Sequence, residues 1–430
     1  MTESATPAIT TSRWLLLGSL YVTQYFGPGF FLIALVAILR ESGAALEMVS
    51  VVYLLGLVWA LKFLWAPWVD RWQSRQIGHF RAWLIAMQSI MILSLLAIGR
   101  FDPVRDFWVI YGLCMLLSLA SATQDVAVDG LAYRLVPPKE RGFANGLQAA
   151  GGLLGNLLGA GGVLMAYPHV GWAGCTLILA AGTAVSLVQV LWFREPVHPP
   201  HSGEGARVFK RLWALVLRPG QRCWLTMILF YPLGVSLGYA LITPILVDAG
   251  WSLDRIGLAV NVVGSLCGIP AALLTGRLIR RFGVQPILIG AAVLQVPGIL
   301  ALALPLVGAT GMAPVTLAVG LFFFCYNPVL AVLTTLMMHR SDPASPATDY
   351  ALQYSLYMLF SIVAVTLGTA AAGQIGYMGV LAVAAFCALA MAPLAMGRRH
   401  QESGQDSPDQ DASPAVTLVS PQAQIDLLTP

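Results

Sequence analysis

The sequence predicts an all-α membrane protein with twelve transmembrane helices arranged as two six-helix halves. Three observations carry this prediction: a low charge content, a series of apolar stretches of spanning length, and an internal repeat. Hydrophobic residues make up 58% of the 430 residues and charged residues only 10%, against about 25% charged in a soluble globular domain. This composition argues against a water-soluble enzyme.

Twelve apolar stretches are long enough to cross about 30 Å of hydrocarbon as helices. They are residues 14–39, 46–66, 82–100, 107–131, 143–166, 172–193, 223–247, 255–276, 285–305, 314–338, 350–373 and 379–397. No small-residue cleavage site follows the first stretch, so we expect it to be a retained helix rather than a signal peptide.

The basic residues predict the orientation in the membrane. If the N-terminus is cytoplasmic, nineteen of the 24 lysines and arginines lie on the cytoplasmic side, and Lys62 lies inside a span. The four on the outer side are Arg40, Arg100, Arg105 and Arg255. Positive charge is retained on the cytoplasmic side of membrane proteins, so we expect both termini there.

The longest internal loop, residues 194–222, separates a six-helix bundle at 14–193 from another at 223–397. Residues 1–13 form a short cytoplasmic segment before the first bundle. Residues 398–430 are rich in Ser, Gln, Asp and Pro and predict a disordered cytoplasmic tail.

The two halves repeat each other in sequence. Arg71, after the second span, has a counterpart in Arg277, and Arg134, after the fourth, has one in Arg340. Leu147-Gln148 corresponds in the same way to Leu352-Gln353. Because the offset is about 205 residues each time, the chain predicts parallel six-helix repeats, a construction found in secondary transporters.

If residues at the span ends, such as Glu47, are counted as interfacial, three charged residues lie inside predicted spans, where each charge costs about 2.5 to 3.5 kcal/mol. Asp125 and Asp129 are four residues apart, on one face of the fourth span. Two carboxylates so placed favour proton binding, and we expect the deeper Asp125 to bind the proton more tightly. Lys62 is a candidate counter-charge. Two structural alternatives remain open: Asp129 pairs with Arg71 or Arg134, or both carboxylates anchor Lys62.

Asp70 and Arg71, between the second and third spans, are candidate gating residues. In position the pair resembles the loop motif of the major facilitator superfamily, and this resemblance implies that the acid caps the N-terminus of a helix from the other half and holds one side of the carrier closed. The alternative is that the pair is an ordinary charge at the end of a span.

A central cavity is expected where spans one, four, seven, ten and eleven meet. Its candidate residues are Tyr21, Gln24, Tyr25, Gln124, Tyr231, Tyr239, Tyr326, Asn327, Gln353, Tyr354 and Tyr357. Aromatic rings and amides with almost no charge suit a bulky, partly apolar ligand. Individual tyrosines can instead belong to the interfacial aromatic belts of a membrane protein.

Several function classes are disfavoured by what the spans contain. The six histidines lie in loops or at span ends, so neither a metal site nor a histidine proton relay is expected. No HExxH or GxxxxGK[ST] motif is present, which disfavours an enzyme or a nucleotide-driven pump. We expect no catalytic residues, no cofactor and no nucleic-acid partner. Transport would therefore be secondary.

Two segments carry a family resemblance. Leu61-Lys62-Phe63-Leu64-Trp65-Ala66-Pro67 and the run from Gln124 to Ala132 resemble the branch of the major facilitator superfamily that holds AmpG-type muropeptide permeases and RhtX/FptX-type siderophore importers. Asp129-Gly130-Leu-Ala and Arg141-Gly-x-x-Asn145-Gly-x-Gln148 resemble the siderophore group more. The chain departs from the family in having Leu153 and its glycines where an arginine is expected in span five.

The resemblance implies a secondary transporter of the bacterial inner membrane that imports a siderophore, with or without iron, by proton symport and alternating access. Its partners would be that solute and the lipid bilayer, and we expect a monomer. Two alternatives remain: an AmpG-type muropeptide permease and a multidrug-type exporter.

The charge asymmetry makes a direct prediction about topology. Reporter fusions after His198 and after His400 should both report a cytoplasmic location, and a fusion at Asp102 a periplasmic one. A periplasmic signal at His198 would contradict the division into six plus six spans.

Overall fold

A computed structural model describes residues 9–42, 46–74, 76–196 and 221–405 of the chain. Most of the predicted central loop, including His198 and four of its basic residues, therefore lies outside the described residues, as do Arg75 and residues 406–430 of the predicted tail.

The described chain forms twelve membrane helices, as predicted, in two halves. The first half contains α1 (Thr11–Glu41), α2 (46–64), α3 (His79–Ile98), α4 (Phe107–Leu135), α5 (141–170) and α6 (172–192). The second half contains α7 (Arg222–Asp248), α8 (Arg255–Phe282), α9 (Val284–Ala301), α10 (Met312–His339), α11 (346–375) and α12 (377–405). A short helix, Ala66–Arg71, follows the apolar part of α2.

Within the described residues, neighbouring helices join through a single glycine at three places, Gly171, Gly283 and Gly376. Between α5 and α6 the backbone reverses at Gly171 (φ 68°), and between α11 and α12 it reverses at Gly376 (φ 73°). A positive φ of this size favours glycine, because a Cβ would crowd the backbone. Each glycine therefore divides one long helical stretch into two spans.

The alternating helices define two ends of the bundle. We call the end with the connections 72–78, 136–140, 193–196 and 340–345 the terminal face, because α1 begins and α12 ends there. The opposite face carries the connections 99–106, 249–254 and 302–311, together with Gly171 and Gly376.

Glycines bring the halves into close contact where α5 meets α8 near the terminal face. A Cβ added at Gly146 would lie 2.6 Å from the carbonyl oxygen of Ala272, and one at Gly276 would lie 2.8 Å from that of Gly142. The two backbones thus approach more closely than any larger residue permits, in the manner of small-residue packing between membrane helices.

The second bundle ends later than the sequence predicts. Helix α12 continues to Gln405, whereas its apolar stretch ends at 397. The first proline after that stretch is Pro408, so no residue within 398–405 blocks helical hydrogen bonding.

Candidate functional site

Lys62 and Asp125 form an ion pair in the middle of the first half. Only 1% of Lys62 and 2% of Asp125 is exposed, and the Lys62 Nζ contacts Asp125 Oδ2. The Gln24 side chain donates a hydrogen bond of 2.8 Å to the other carboxylate oxygen. Asp125 therefore anchors Lys62, as one of the two structural alternatives expects. The pairing neutralises two charges whose burial in hydrocarbon would otherwise cost free energy.

Asp129 has a different environment, although it is as buried as Asp125 at 2% exposure. Its Oδ1 accepts hydrogen bonds from Gln148 Nε2 at 2.9 Å and from Tyr21 Oη at 3.3 Å. Its Oδ2 has no hydrogen-bond partner in the described part of the chain. The expectation that Asp125 is the more desolvated of the two is thus not met.

The proposed pairing of Asp129 with Arg71 or Arg134 is wrong. Arg71 is exposed, and Arg134 lies 3.9 Å from Glu195 and 4.5 Å from the Phe80 ring. Arg134 follows Asp129 by five positions, so the arginine lies on a different side of α4.

A hydrogen-bonded chain connects Asp129 to the second half. Tyr350 on α11 donates from its hydroxyl to Gln148 Oε1 at 2.8 Å, and the same hydroxyl lies 3.1 Å from Asn145 Oδ1. Sequence analysis recognised Gln148 and Asn145 only as repeat and family residues and missed Tyr350. The available signal was the i, i+3 spacing of two amides on one face of a membrane helix.

Asp70 lies where the gating hypothesis expects it. Helix α11 begins at Pro346, and Asp70 Oδ2 accepts hydrogen bonds from the Thr348 backbone N–H at 2.7 Å and the Thr348 hydroxyl at 2.6 Å. The Ala347 N–H lies 3.4 Å from Oδ1. A carboxylate here satisfies free helix N–H groups across the two halves. Arg71 makes no such contact, because its side chain faces outward.

Other contacts also close the terminal face. The Tyr133 hydroxyl donates to the Ser341 carbonyl oxygen at 3.1 Å, and Arg280 pairs with Glu140 at 3.3 Å. Each contact joins the first half to the second. The described halves are therefore in contact at the terminal face, on one side of the central cavity.

The central cavity has a volume of about 390 Å³ and lies between the halves. Five of the eleven predicted cavity residues line it: Tyr25, Tyr239, Tyr326, Asn327 and Tyr354. Residues outside the prediction also line it, among them Trp59, Asn145, Gln148, Asn156, Asn261, Ser265, Phe323 and Thr334. None of the lining residues is charged, which agrees with the expected character of the cavity.

The other six predicted residues do not line the cavity: Tyr21, Gln24, Gln124, Tyr231, Gln353 and Tyr357. Most of them bond within their own half; Tyr231, for example, donates to the Leu288 carbonyl oxygen at 2.7 Å, and Gln353 accepts from Trp224 at 2.7 Å. Buried polar groups need partners in hydrocarbon, so these side chains turn toward neighbouring helices. Helices α5 and α8 supply the amides that replace them.

The described residues contain no group of three or more His, Cys, Asp or Glu side chains placed to hold a metal ion. The polar groups that meet at the site are instead the two aspartates, Lys62 and the amides and tyrosines around them. This arrangement can bind a proton and an uncharged polar solute in adjacent places.

Comparison with known proteins agrees with this architecture. The sequence profile of the Major Facilitator Superfamily matches residues 14–364, which is most of the chain. The chain also resembles the solved structure of the major facilitator superfamily proton:xylose symporter XylE bound to 6-bromo-6-deoxy-D-glucose, with a TM-score of 0.64 and 13% identity. That match covers 89% of this chain and 96% of the symporter, and at this identity it supports the fold alone.

Two relatives with higher sequence identity are named as a permease and as a putative transporter. The chain is 26% identical over 323 residues to the anhydromuropeptide permease of Escherichia coli strain K12, in a match that covers 72% of this chain and 64% of that protein. It is 22% identical over 336 residues to the putative transporter AmpG 3 of Rickettsia prowazekii strain Madrid E, covering 74% and 79% of the two chains.

The cap on α11 predicts a pH effect on closure. Burial raises the pKa of Asp70 to about 6, against the lowering effect of the Thr348 and Ala347 hydrogen bonds and the nearby Arg134. A carboxylate exposed by opening would have a pKa near about 3.9. The closed state therefore binds the Asp70 proton more tightly than the open state does. Protonation of Asp70 stabilises the closed state fully below about pH 4, and this stabilisation is lost as the pH rises through 6.

We expect this contribution to disappear in Asp70→Asn, which keeps an oxygen to accept from Thr348 but cannot titrate. Distances between spin labels at Gln73 and Arg281, in a cysteine-free background, would report closure of the terminal face. From pH 7 to pH 5 the wild type should gain closed population relative to Asp70→Asn. Parallel pH profiles for the two proteins would contradict the prediction, and Asp70→Ala should open the face at every pH.

Proposed function

The chain belongs to the major facilitator superfamily and is a secondary transporter rather than an enzyme, and from that premise we propose that it imports anhydromuropeptides by proton symport. The observation that carries the proposal is the similarity to the E. coli anhydromuropeptide permease over 72% of this chain. The location we propose is the bacterial inner membrane, with both termini in the cytoplasm.

The cavity supports a solute that is rich in hydroxyl and amide groups. Asn145, Gln148, Asn156, Asn261 and Asn327 supply amide donors and acceptors, and a volume of about 390 Å³ lies in the range of ligand-binding cavities. A muropeptide has sugar hydroxyls and carboxylates, and the carboxylates would favour more charge in the cavity than Lys62 and the aspartates provide. Amides on two helices that sequence analysis left out weaken that objection, since they pair with sugar hydroxyls without any charge.

Siderophore import, the first reading of the sequence, has no support from the relatives named above. The motifs that suggested it also have structural explanations. Gly130 lies against the Phe80 ring, which leaves no space for a Cβ, and Asn145 and Gln148 bond to Tyr350. Residues that the fold itself requires do not discriminate between two solutes.

The closed terminal face supports import as the direction of transport. If the charge asymmetry orients this face to the cytoplasm, the cavity is shut on the cytoplasmic side. A carrier in this state loads solute from the periplasm, and rocking of the halves would then release it inward.

Asp129 is the better candidate for the coupling proton. Asp125 is held by Lys62 and Gln24, whereas Asp129 keeps one carboxylate oxygen without a partner among the described residues. A free oxygen is where a proton can bind without first breaking an ion pair.

Uptake assays test the substrate. Right-side-out vesicles containing the protein should concentrate labelled anhydromuropeptide when a pH gradient, acid outside, is imposed, and vesicles without the protein should not. Labelled ferric siderophore and a cationic dye serve as the competing solutes. Gradient-driven uptake of a siderophore without muropeptide uptake would return the assignment to the siderophore importers, and dye extrusion alone would indicate an exporter.

Variants of the two aspartates test the coupling. Asp129→Asn should abolish gradient-driven accumulation but leave counterflow exchange within about twofold, because exchange needs no net proton movement. Asp125→Asn should instead lower the amount of folded protein, since an unpaired buried Lys62 costs about 3 to 5 kcal/mol.

The control for that second effect is the double variant Lys62→Met/Asp125→Asn, which removes both charges and should recover folded protein. Accumulation by Asp129→Asn at the wild-type level would remove Asp129 from the coupling step. If the double variant does not recover the amount of folded protein, the Lys62–Asp125 pair has a role beyond mutual neutralisation.

A further inference from the structure

Two tyrosines of the second half face the two aspartates of the first half. Asp125 and Asp129 are one turn apart on α4, and Tyr354 and Tyr350 are one turn apart on α11. Each tyrosine reaches one aspartate through a single intermediate side chain. This arrangement relates the protonation site to the contact between the halves.

The first link runs through Lys62. Its Nζ lies 4.5 Å from the centroid of the Tyr354 ring while it pairs with Asp125. A cation over an aromatic face is attracted to it, more strongly in a desolvated place. The ring of Tyr354 also lines the cavity, so this link lies at the solute site.

The second link runs through the Gln148 amide, whose two ends are chemically different. Tyr350 donates to the amide oxygen, so the amide nitrogen faces Asp129 and donates to it. A carboxylate that receives this donor acts as an acceptor, which is the role of its ionised form. The hydroxyl of Tyr350 thus determines which end of the amide Asp129 meets.

Tyr350 is the only member of this second link that belongs to the second half; Gln148, Asn145 and Asp129 belong to the first. When the terminal face opens, Tyr350 leaves and the amide is free to rotate. Its oxygen can then accept a hydrogen bond from a protonated Asp129. The protonation of Asp129 and the opening of the face are therefore linked, and each must favour the other to the same degree.

We propose that Tyr350 is a positioning residue that latches the terminal face closed through Gln148 while Asp129 is ionised, and releases it when Asp129 takes up a proton. The proposal rests on the proton coupling proposed above but not on the identity of the solute. Besides Tyr350 itself, the ionisable groups that act on Asp129 are Asp125, Lys62, Tyr21 and Tyr25.

The solute acts on the same amide. Gln148 and Asn145 both line the cavity, so a hydroxyl or amide of a bound solute competes with Tyr350 for their oxygens. Proton and solute therefore each weaken the same latch. The terminal face opens most readily when both are bound, which is the coupling that symport needs.

Tyr350→Phe tests the latch without any solute. It removes the hydroxyl and keeps the ring that stacks on Tyr354 at a centroid distance of 6.3 Å. With spin labels at Gln73 and Arg281 at pH 7.5, the ratio of open to closed terminal face should rise about fivefold, the effect of one lost buried hydrogen bond. The matched control is Tyr231→Phe, which removes an equally buried hydroxyl that bonds within one half, and it should change the ratio less than twofold.

A double-mutant cycle and a pH profile separate the latch from a general structural effect. Gln148→Leu should raise the open ratio in the wild type but add little to Tyr350→Phe, because both remove one connected unit. In an Asp70→Asn background, acidification from pH 7.5 to 5 should favour opening, and Tyr350→Phe should flatten that response.

An unchanged ratio in Tyr350→Phe, additive effects in the cycle, or a pH response that survives the substitution would each overturn the proposal. Because no solute is present, these outcomes are independent of whether anhydromuropeptides are transported. Failed muropeptide uptake with an intact latch response would reject the substrate assignment alone.

Discussion

The rest of the site depends on one constraint: a charge buried in hydrocarbon must be neutralised by a group next to it. Lys62 and Asp125 meet it by pairing with each other, and Gln24 satisfies the remaining carboxylate oxygen. This pair fixes α2, α1 and α4 against one another. Asp129, one turn away, is instead held by amide and phenol groups, with no cation among its described hydrogen-bond partners, which is why we propose it as the coupling residue.

The sequence was sufficient for the fold and for the spacing of the intramembrane aspartates, because both depend on patterns along single helices. Spanning length and the spacing of Asp125 and Asp129 are local properties. Asp70 was expected at a helix N-terminus of the other half because its place in the chain matches the loop motif of the major facilitator superfamily. The other features need only the helical period and the order of the helices.

What could not be predicted is the direction in which each polar side chain turns. Tyr231 and Tyr239 are eight residues apart on the same helix, yet one bonds to a carbonyl oxygen of α9 and the other lines the cavity. Their sequence contexts do not distinguish them, because the difference arises from the neighbouring helix. The roles of Tyr350 and Gln148 likewise require both halves in place, since neither residue has its partner on its own helix.

The reversals at Gly171 and Gly376 have a mechanical consequence. They join α5 to α6 and α11 to α12 through a single residue, and α5 and α11 are the helices that carry Gln148 and Tyr350. A one-residue joint leaves no slack, so a tilt of either inner helix is passed directly to the outer helix that faces the lipid. Tilting α5 or α11 would therefore also require moving α6 or α12 against the surrounding lipid.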